Sequence, residues 1–518
     1  MINSVCDTLN IYSDNGKTTT GAEVHVQPTP NGFHIDISAP SVGVTKIVLH
    51  WNRSLPNGLR ILGDHWERGY GDLEWRGFVP ERVLPWYVLL FDPSNSTTQG
   101  LGVSTGGGSF ASWRVDQNGV TLVLDVRNGT RSVQLGSRTL RAATVQTLVS
   151  KKTETPFTFA RRFCKLLCAR PRLAPFPVYG GNDWYYTDGN NSDAIIRQGT
   201  ALIRELSPNR DNAPFMVIDA GWFPVRHCGG GGPYDKGNEW FPDMPGLAAA
   251  IKAQGVRPGI WMRSLLTADA PASWQMPSAH PIWKREKQVN LDPSVPEVLQ
   301  LICEDITRLR EWGYTLIKHD FSTFDITGRW GFEMLDGSIS TGDWSFADKS
   351  QTTAEIIKNL YQTIRDAAED VILIGCNTIG HLGAGLFELQ RTGDDTSGHE
   401  WERTRKMGVN TLAFRMAQHD TFFASDADCV ALTKRVAWEP TKQWLELVAA
   451  SATPLFVSAD PAVVGPEQRA ALMKAFSQAA TAQPPAEPLD WLETTCPQHW
   501  RLSNDTRKFH WGMAAVNK

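Results

Sequence analysis

No stretch of the sequence comes near about 18 consecutive apolar residues, which excludes a membrane-spanning helix. An excess of basic charge is missing too. The 51 Lys and Arg stand against 55 Asp and Glu, a net charge of −4, so there is no basic surface of the kind that holds nucleic acid. Cysteine is sparse. The eight cysteines (Cys6, Cys164, Cys168, Cys228, Cys303, Cys376, Cys429 and Cys496) are too few and too scattered for a disulfide scaffold of 518 residues. Their one close pair, Cys164 and Cys168, has neither C-x-x-C spacing nor a histidine beside it, so no zinc site is expected. The first residues, Met1 to Asp7, lack both the basic start and the apolar stretch of a secretory signal. A cytoplasmic protein with reduced thiols, needing no metal or organic cofactor, is the expectation. Nothing in the sequence speaks to oligomeric state.

The length fits two to four domains at about 150 residues each. With 41% hydrophobic and 20% charged residues, the chain has apolar surface for more than one core. One excess stands out: 20 tryptophans, many beside Gly, Asp or Pro. Most are expected in cores, but tryptophan at strand ends is suited to stacking on the C–H faces of sugar rings.

Up to about residue 170 the pattern is short alternating runs, such as Gly32–Ile37, Thr45–Trp51 and Val120–Val126, separated by turn signals such as Gly106-Gly107-Gly108. Period two with turns predicts an antiparallel sandwich, an all-β domain over residues 1–172. Three prolines within Ala169–Pro177 mark a linker. Beyond it, apolar runs at Pro177–Gly180, Phe215–Asp219, Pro258–Met262, Thr315–Asp320 and Val371–Cys376 alternate with amphipathic stretches at Asp193–Leu206, Met244–Gln254, Val295–Trp312 and Thr353–Ala368. Further strands are expected at Glu388–Thr392, Ala417–Thr421 and Leu455–Ser458. Eight strands in roughly 300 residues predict an α/β domain over residues 173–480, a (β/α)8 TIM barrel with its chemistry at the C-terminal strand ends. A doubly wound sheet would need a GxGxxG turn after its first strand, and none is there. The run Gly229–Gly232 reads as a flexible loop near the site. After Pro484-Pro485 the chain turns to a short β-like C-terminal segment, residues 481–518, whose tail from Trp500 to Val516 is too short to close a domain.

Cleaving a glycosidic bond takes two carboxyl groups flanking the anomeric carbon. Asp320 ends an apolar strand with Lys318 two residues earlier, on the same side by strand alternation. A lysine there keeps a buried aspartate ionised, as a nucleophile must be. The second carboxyl is sought in Arg391-Thr392-Gly393-Asp394-Asp395-Thr396. Two adjacent acids cannot both point into one site, and the residues alone do not choose between them.

These runs, Lys318-His319-Asp320-Phe321 and Arg391 to Thr396, together with Pro258-Gly259-Ile260-Trp261, Gly375-Cys376 and Asp426 to Cys429, resemble glycoside hydrolase family 36, the α-galactosidase or melibiase group. The resemblance spans about residues 175–460 and keeps motif order. It implies a β domain before a barrel, Asp320 as nucleophile, and an acid/base four residues after Arg391, which is Asp395. It also implies a retaining, exo-acting hydrolysis of terminal α-galactosides. One departure is visible: the family usually carries Asp-Asp after the second strand to grip O4 and O6 of galactose, whereas here Asp219 is followed by Ala220. Losing one charge-assisted bond costs about 1.5–3 kcal/mol. Asp219, Lys318, Arg391, Trp184, Trp222 and Trp261 are expected to bind substrate, Cys376 to face the sugar as a small neutral residue, and Trp75 to reach over from the β domain. His419-Asp420 and Asp426 to Asp428 read as structural. The partner is an α-linked oligosaccharide or glycoside. The alternatives are a related glycosidase or transglycosylase for another α-linked sugar, or a carbohydrate-binding homologue that has lost catalysis.

Overall fold

The alternating runs of the first third become two six-stranded antiparallel sheets. One orders as Gly16–Thr18, Thr8–Ser13, Lys46–Asn52, Gly119–Asp125, Phe110–Asp116 and Leu84–Pro85. The other orders as Glu23–Thr29, Gly32–Ser38, Thr139–Val149, Thr97–Val103, Tyr87–Asp92 and Arg60–Leu62. Period two explains how they meet. Ile47, Leu49 and Trp51 face inward from one sheet, Phe33, Ile35 and Ile37 from the other, and the Phe33 and Trp51 rings touch across the layers with centroids 5.8 Å apart. The chain is described here by a computed structural model over residues 2–18, 20–208, 211–225, 229–285 and 287–512. Cys228 and the tail residues Met513–Val516 lie outside the described residues, and the seven cysteines inside them are free thiols.

The region before residue 170 is not all β. A helix, Pro156–Leu167, is capped by the Thr155 hydroxyl, which accepts from the Thr158 N–H, and buries Phe157, Phe159, Phe163 and Leu167. It lies against strand Thr97–Val103 at Gly100, where an added Cβ would sit 2.7 Å from the Phe163 ring. Its apolar spacing is helical, but the period-two pattern around it hid the change.

The second region is a nine-stranded, wholly parallel sheet. Its strands are β1 (Tyr179–Asn182), β2 (Phe215–Ile218), β3 (Arg257–Met262), β4 (Leu316–His319), β5 (Ile372–Gly375), β6 (Leu389–Arg391), β7 (Ala424–Asp426), β8 (Cys429–Leu432) and β9 (Leu455–Ala459). They order as β7-β6-β5-β4-β3-β2-β1-β9-β8. Nearly every strand residue is buried, as a sheet covered on both faces requires. Phe215, Leu316, Ile374, Leu389, Cys429 and Phe456, from six different strands, form one apolar cluster. The sheet therefore curls around them. Met216, Ile218, Ile317, Leu373 and Val457 alternate onto the outer face. Helices there include Asp193–Leu206, Met244–Ala253, Pro296–Glu311 and Thr353–Ala368, close to the amphipathic stretches expected.

The strand expected at Ala417–Thr421 is a turn that continues helix Thr411–Arg415; the Gln418 N–H donates to Arg415 O and the Thr421 N–H to Gln418 O. The strand itself starts at Ala424. Residues 487–508 form a small antiparallel sheet of Glu487–Pro488, His499–Leu502 and Asp505–Lys508. Among the described residues no helix is long and apolar enough to cross a membrane.

Candidate active site

The C-terminal ends of β1, β2, β3, β4 and β6 converge on a cavity of about 100 Å³, and Asp219, Lys318, Asp320, Asp394 and Asp395 all line it. Its aromatic walls are Trp184, Trp261, Phe321 and Trp330.

Strand β4 delivers Lys318 and Asp320 to one side and His319 to the other. His319 is buried against Tyr361 and Phe387, and burial pushes its pKa down to about 4. Straight after Asp320 the chain enters the left-handed region, at Phe321 with φ +62°. Asp320 Oδ1 accepts from the backbone N–H of Phe321 at 2.7 Å and of Asn377 at 3.0 Å; Oδ2 accepts from the Trp261 indole at 3.1 Å. Burial pushes this carboxyl up, but Lys318, Arg68 and the donors from Trp261 and Phe321 outweigh it and hold the pKa at about 2. Asp320 is an anion at any working pH.

Lys318 Nζ donates to Asp219 Oδ2 at 2.8 Å, with both side chains buried. Burial disfavours the ammonium, yet Asp219, Cys376 and Asp320 hold its pKa well above the ordinary lysine value. Asp219 is oriented by Asn182 Nδ2, which donates to its Oδ2 at 2.7 Å, and by the Ala220 N–H at 2.9 Å to its Oδ1. Behind it Asp183, missed in the sequence, accepts from the Asp219 N–H at 2.7 Å. Burial, reinforced by the Asp219 charge, pushes Asp183 up to about 6. Ala220 itself faces the cavity.

Arg391 closes β6 with its side chain buried. Its Nη2 lies 2.9 Å from Asp428 Oδ2 and 3.2 Å from Asp395 Oδ1, and its Nη1 donates to Cys376 Sγ at 3.4 Å. Asp428 thus belongs to the site's ion network, through a carboxylate that also receives the Tyr185 hydroxyl and the Thr396 N–H. The adjacent acids both line the cavity, against the expectation that two neighbours cannot share one site, but they differ. Asp394 sits 3.0 Å from Arg68 and 2.8 Å from Arg403; burial would raise it, but Arg68, Arg403 and Arg391 bring it below the usual carboxylate range. Asp395 is raised, by burial and by the Asp428 and Asp394 charges, against the pull of Arg391 and Arg68. Its 41% exposed side chain faces the cavity.

Four expected residues do not line the cavity, and the first is Arg391, buried behind Asp395. Trp222 is buried one layer back, its indole donating to Trp261 O at 2.9 Å. Cys376 lies under the two arginines, where burial and the Asp320 charge push its thiol well up. Trp75 is the clearest correction. It packs edge-on against Trp491, with centroids 5.4 Å apart, and against Phe91. An indole gains most from that apolar niche, whereas the cavity rim is carboxylate-rich and suits a cation. The residue that does reach over is Arg68, in Glu67-Arg68-Gly69-Tyr70. A charged pair between Trp66 and turn glycines was its only sign in the sequence.

No protein-family model and no curated protein matches this chain by sequence. Solved structures do match its fold, and these neighbours are α-galactosidases, among them members of glycoside hydrolase family 36. An α-galactosidase from Thermus thermophilus in complex with p-nitrophenyl α-D-galactopyranoside aligns with TM-score 0.63 at 14% identity, over 96% of this chain and 98% of that one. A family 36 α-galactosidase from Geobacillus stearothermophilus with 1-deoxygalactonojirimycin gives 0.60 at 13% identity, over 91% and 75%. An α-galactosidase from Lactobacillus brevis gives 0.60 at 12% identity, over 91% and 72%. At such identities the likeness is one of fold.

Proposed function

We propose that this chain is a retaining, exo-acting α-glycosidase of the family 36 type that hydrolyses terminal α-galactosides. In this reading residues 1–172 are a β-sandwich domain and residues 481–518 a C-terminal β segment. Residues 173–480 form a (β/α)8 barrel, closed where β7 and β8 act as one strand bent at Ala427-Asp428. The observation that carries the proposal is two carboxyls on one small cavity whose surroundings push them in opposite directions, Asp320 down to about 2 and Asp395 up. Asp320 attacks the anomeric carbon while Asp395 protonates the departing oxygen. Forming the glycosyl ester removes the negative charge of Asp320. Asp395, left as a carboxylate by that proton transfer and relieved of the Asp320 charge, then takes a proton from the water that releases the sugar. A small cavity walled by Trp184, Trp261, Phe321 and Trp330 suits a terminal ring, which favours exo action.

A mechanism-based galactosyl fluoride is expected to label Asp320, located by peptide mass spectrometry. Asp395→Ala should lose about 10²–10⁴ in kcat/KM on alkyl galactosides and far less on aryl galactosides with good leaving groups. A label elsewhere, or the same leaving-group pattern in Asp394→Ala instead, would overturn the assignment. Ala220 on the cavity wall motivates a second reading, another α-linked sugar or transfer in place of hydrolysis. A panel of aryl α-glycosides, with oligosaccharide products followed against free sugar, separates the two.

A further inference from the structure

Residues 67–70 precede the parallel sheet by more than a hundred positions, yet they are bonded to it like an extra strand. The Gly69 N–H donates to Thr392 O at 2.9 Å, the Asp394 N–H donates to Gly69 O at 2.9 Å, and Gly69 and Gly393 form a parallel bridge. Neither glycine has room for a side chain: a Cβ on Gly393 would meet Met407 O at 2.1 Å, and one on Gly69 would meet the Thr411 methyl at 2.9 Å. Arg415 staples the two segments, donating to Thr392 O at 2.9 Å and to Glu67 O. Buried Glu67 accepts from the side-chain amide of Asn377, whose backbone N–H holds Asp320. One segment therefore touches the loop that carries Asp395 and, through Asn377, the bond that holds Asp320.

Arg68 projects from it into the cavity, 5% exposed. Its Nη2 lies 3.0 Å from Asp394 Oδ1 and its Nη1 3.8 Å from Asp395 Oδ1, while Nε has no hydrogen-bond partner. Glu67, Tyr70, Cys376 and Asp320 complete the titratable groups around it. The two acids are served unequally. Asp394 has both Arg68 and Arg403, whereas Asp395 shares Arg391 with Asp428, which lies nearer to that cation, and feels the Tyr185 hydroxyl beside it.

We propose that Arg68 is a positioning residue that divides labour between the adjacent acids, holding the negative charge on Asp394 through its nearer Nη2 and leaving Asp395 to carry the proton. This rests on the glycosidase reading of the site. The opposite directions in which Asp394 and Asp395 are pushed agree with it. Because Arg68 also helps to keep Asp320 ionised, it acts on both steps of the reaction.

The test is the pH profile of kcat/KM on an aryl α-galactoside, whose alkaline limb reports Asp395 losing its proton. A unit charge 3.8 Å away across a water-facing cavity is worth about one pH unit. Arg68→Gln is expected to move the alkaline limb up by about that much and to raise Asp394, the nearer acid, by more, so that the two carboxyls no longer divide the charge. Asp394→Asn, which frees Arg68 for Asp395, should move it down, and the double variant should return it toward wild type. Lower rates with unmoved limbs in Arg68→Gln would leave only a structural role and overturn the proposal. Should Arg68→Gln not fold, an unmoved limb in Asp394→Asn does the same. Carbon-13 titration of the aspartate carboxyls in the same variants reads the division of charge without turnover. It decides this proposal even if no α-galactoside proves to be a substrate.

Discussion

Replacing Asp320 by Asn keeps the shape of the side chain and removes its charge, so it probes the electrostatics of the site directly. The carboxyl is held at about 2, because Lys318, Arg68 and three hydrogen-bond donors outweigh its burial. Against about 3.9 in an unfolded chain, that is about two units, or about 2–3 kcal/mol of folding stability at pH 7. Since the folded value is the depressed one, this contribution is complete above about pH 4 and is lost as pH falls through 2. The Asn variant still accepts from the Phe321 and Asn377 N–H groups through its carbonyl. Its amide, however, faces the Trp261 indole donor-to-donor, a further loss of about 1 kcal/mol that does not depend on pH. The variant should therefore be destabilised by about 3 kcal/mol at pH 7, and by only about 1 kcal/mol near pH 2. Denaturant unfolding of both proteins, stepped down from pH 7 to the lowest pH at which the wild type stays folded, measures this. A variant as stable as wild type at pH 7, or a deficit that does not shrink with acid, refutes the electrostatic account of the nucleophile.

Two further outcomes follow from the packing. Lys318→Met strands the buried Asp219 carboxylate and should cost about 3–5 kcal/mol; adding Asp219→Asn removes the stranded charge and should recover more than half in the same denaturation assay, whereas equal losses would contradict the pairing. Trp75→Ala should cost about 3–5 kcal/mol by emptying the niche against Trp491 and Phe91 while leaving KM unchanged; a raised KM at unchanged stability would return Trp75 to the cavity.

Periodicity was enough to read the layers. Runs such as Ile47-x-Leu49-x-Trp51 can bury only one face, and buried runs such as Phe215–Ile218 joined by amphipathic stretches can only make a parallel sheet with covered faces. Where two periods meet within a few residues the reading slips, as at helix Pro156–Leu167 and at the turn read as a strand at Ala417–Thr421. Within the site, residues at strand ends were legible because alternation alone puts Lys318 and Asp320 on one side. Asp183 and Asp428 were not, since an acid in a turn looks the same whether it faces water or a buried cation.

Local chemistry along the chain thus determined the order of elements, the apolar faces and the strand-end groups, because each depends on residues a few positions apart. Only the tertiary structure decided which of two neighbouring aspartates is held as an anion. Asp394 is paired with Arg403, nine residues along the chain, and with Arg68, more than three hundred residues away in sequence and 3.0 Å away in space. Electrostatic interaction depends on distance and burial, and neither is written in the order of the residues.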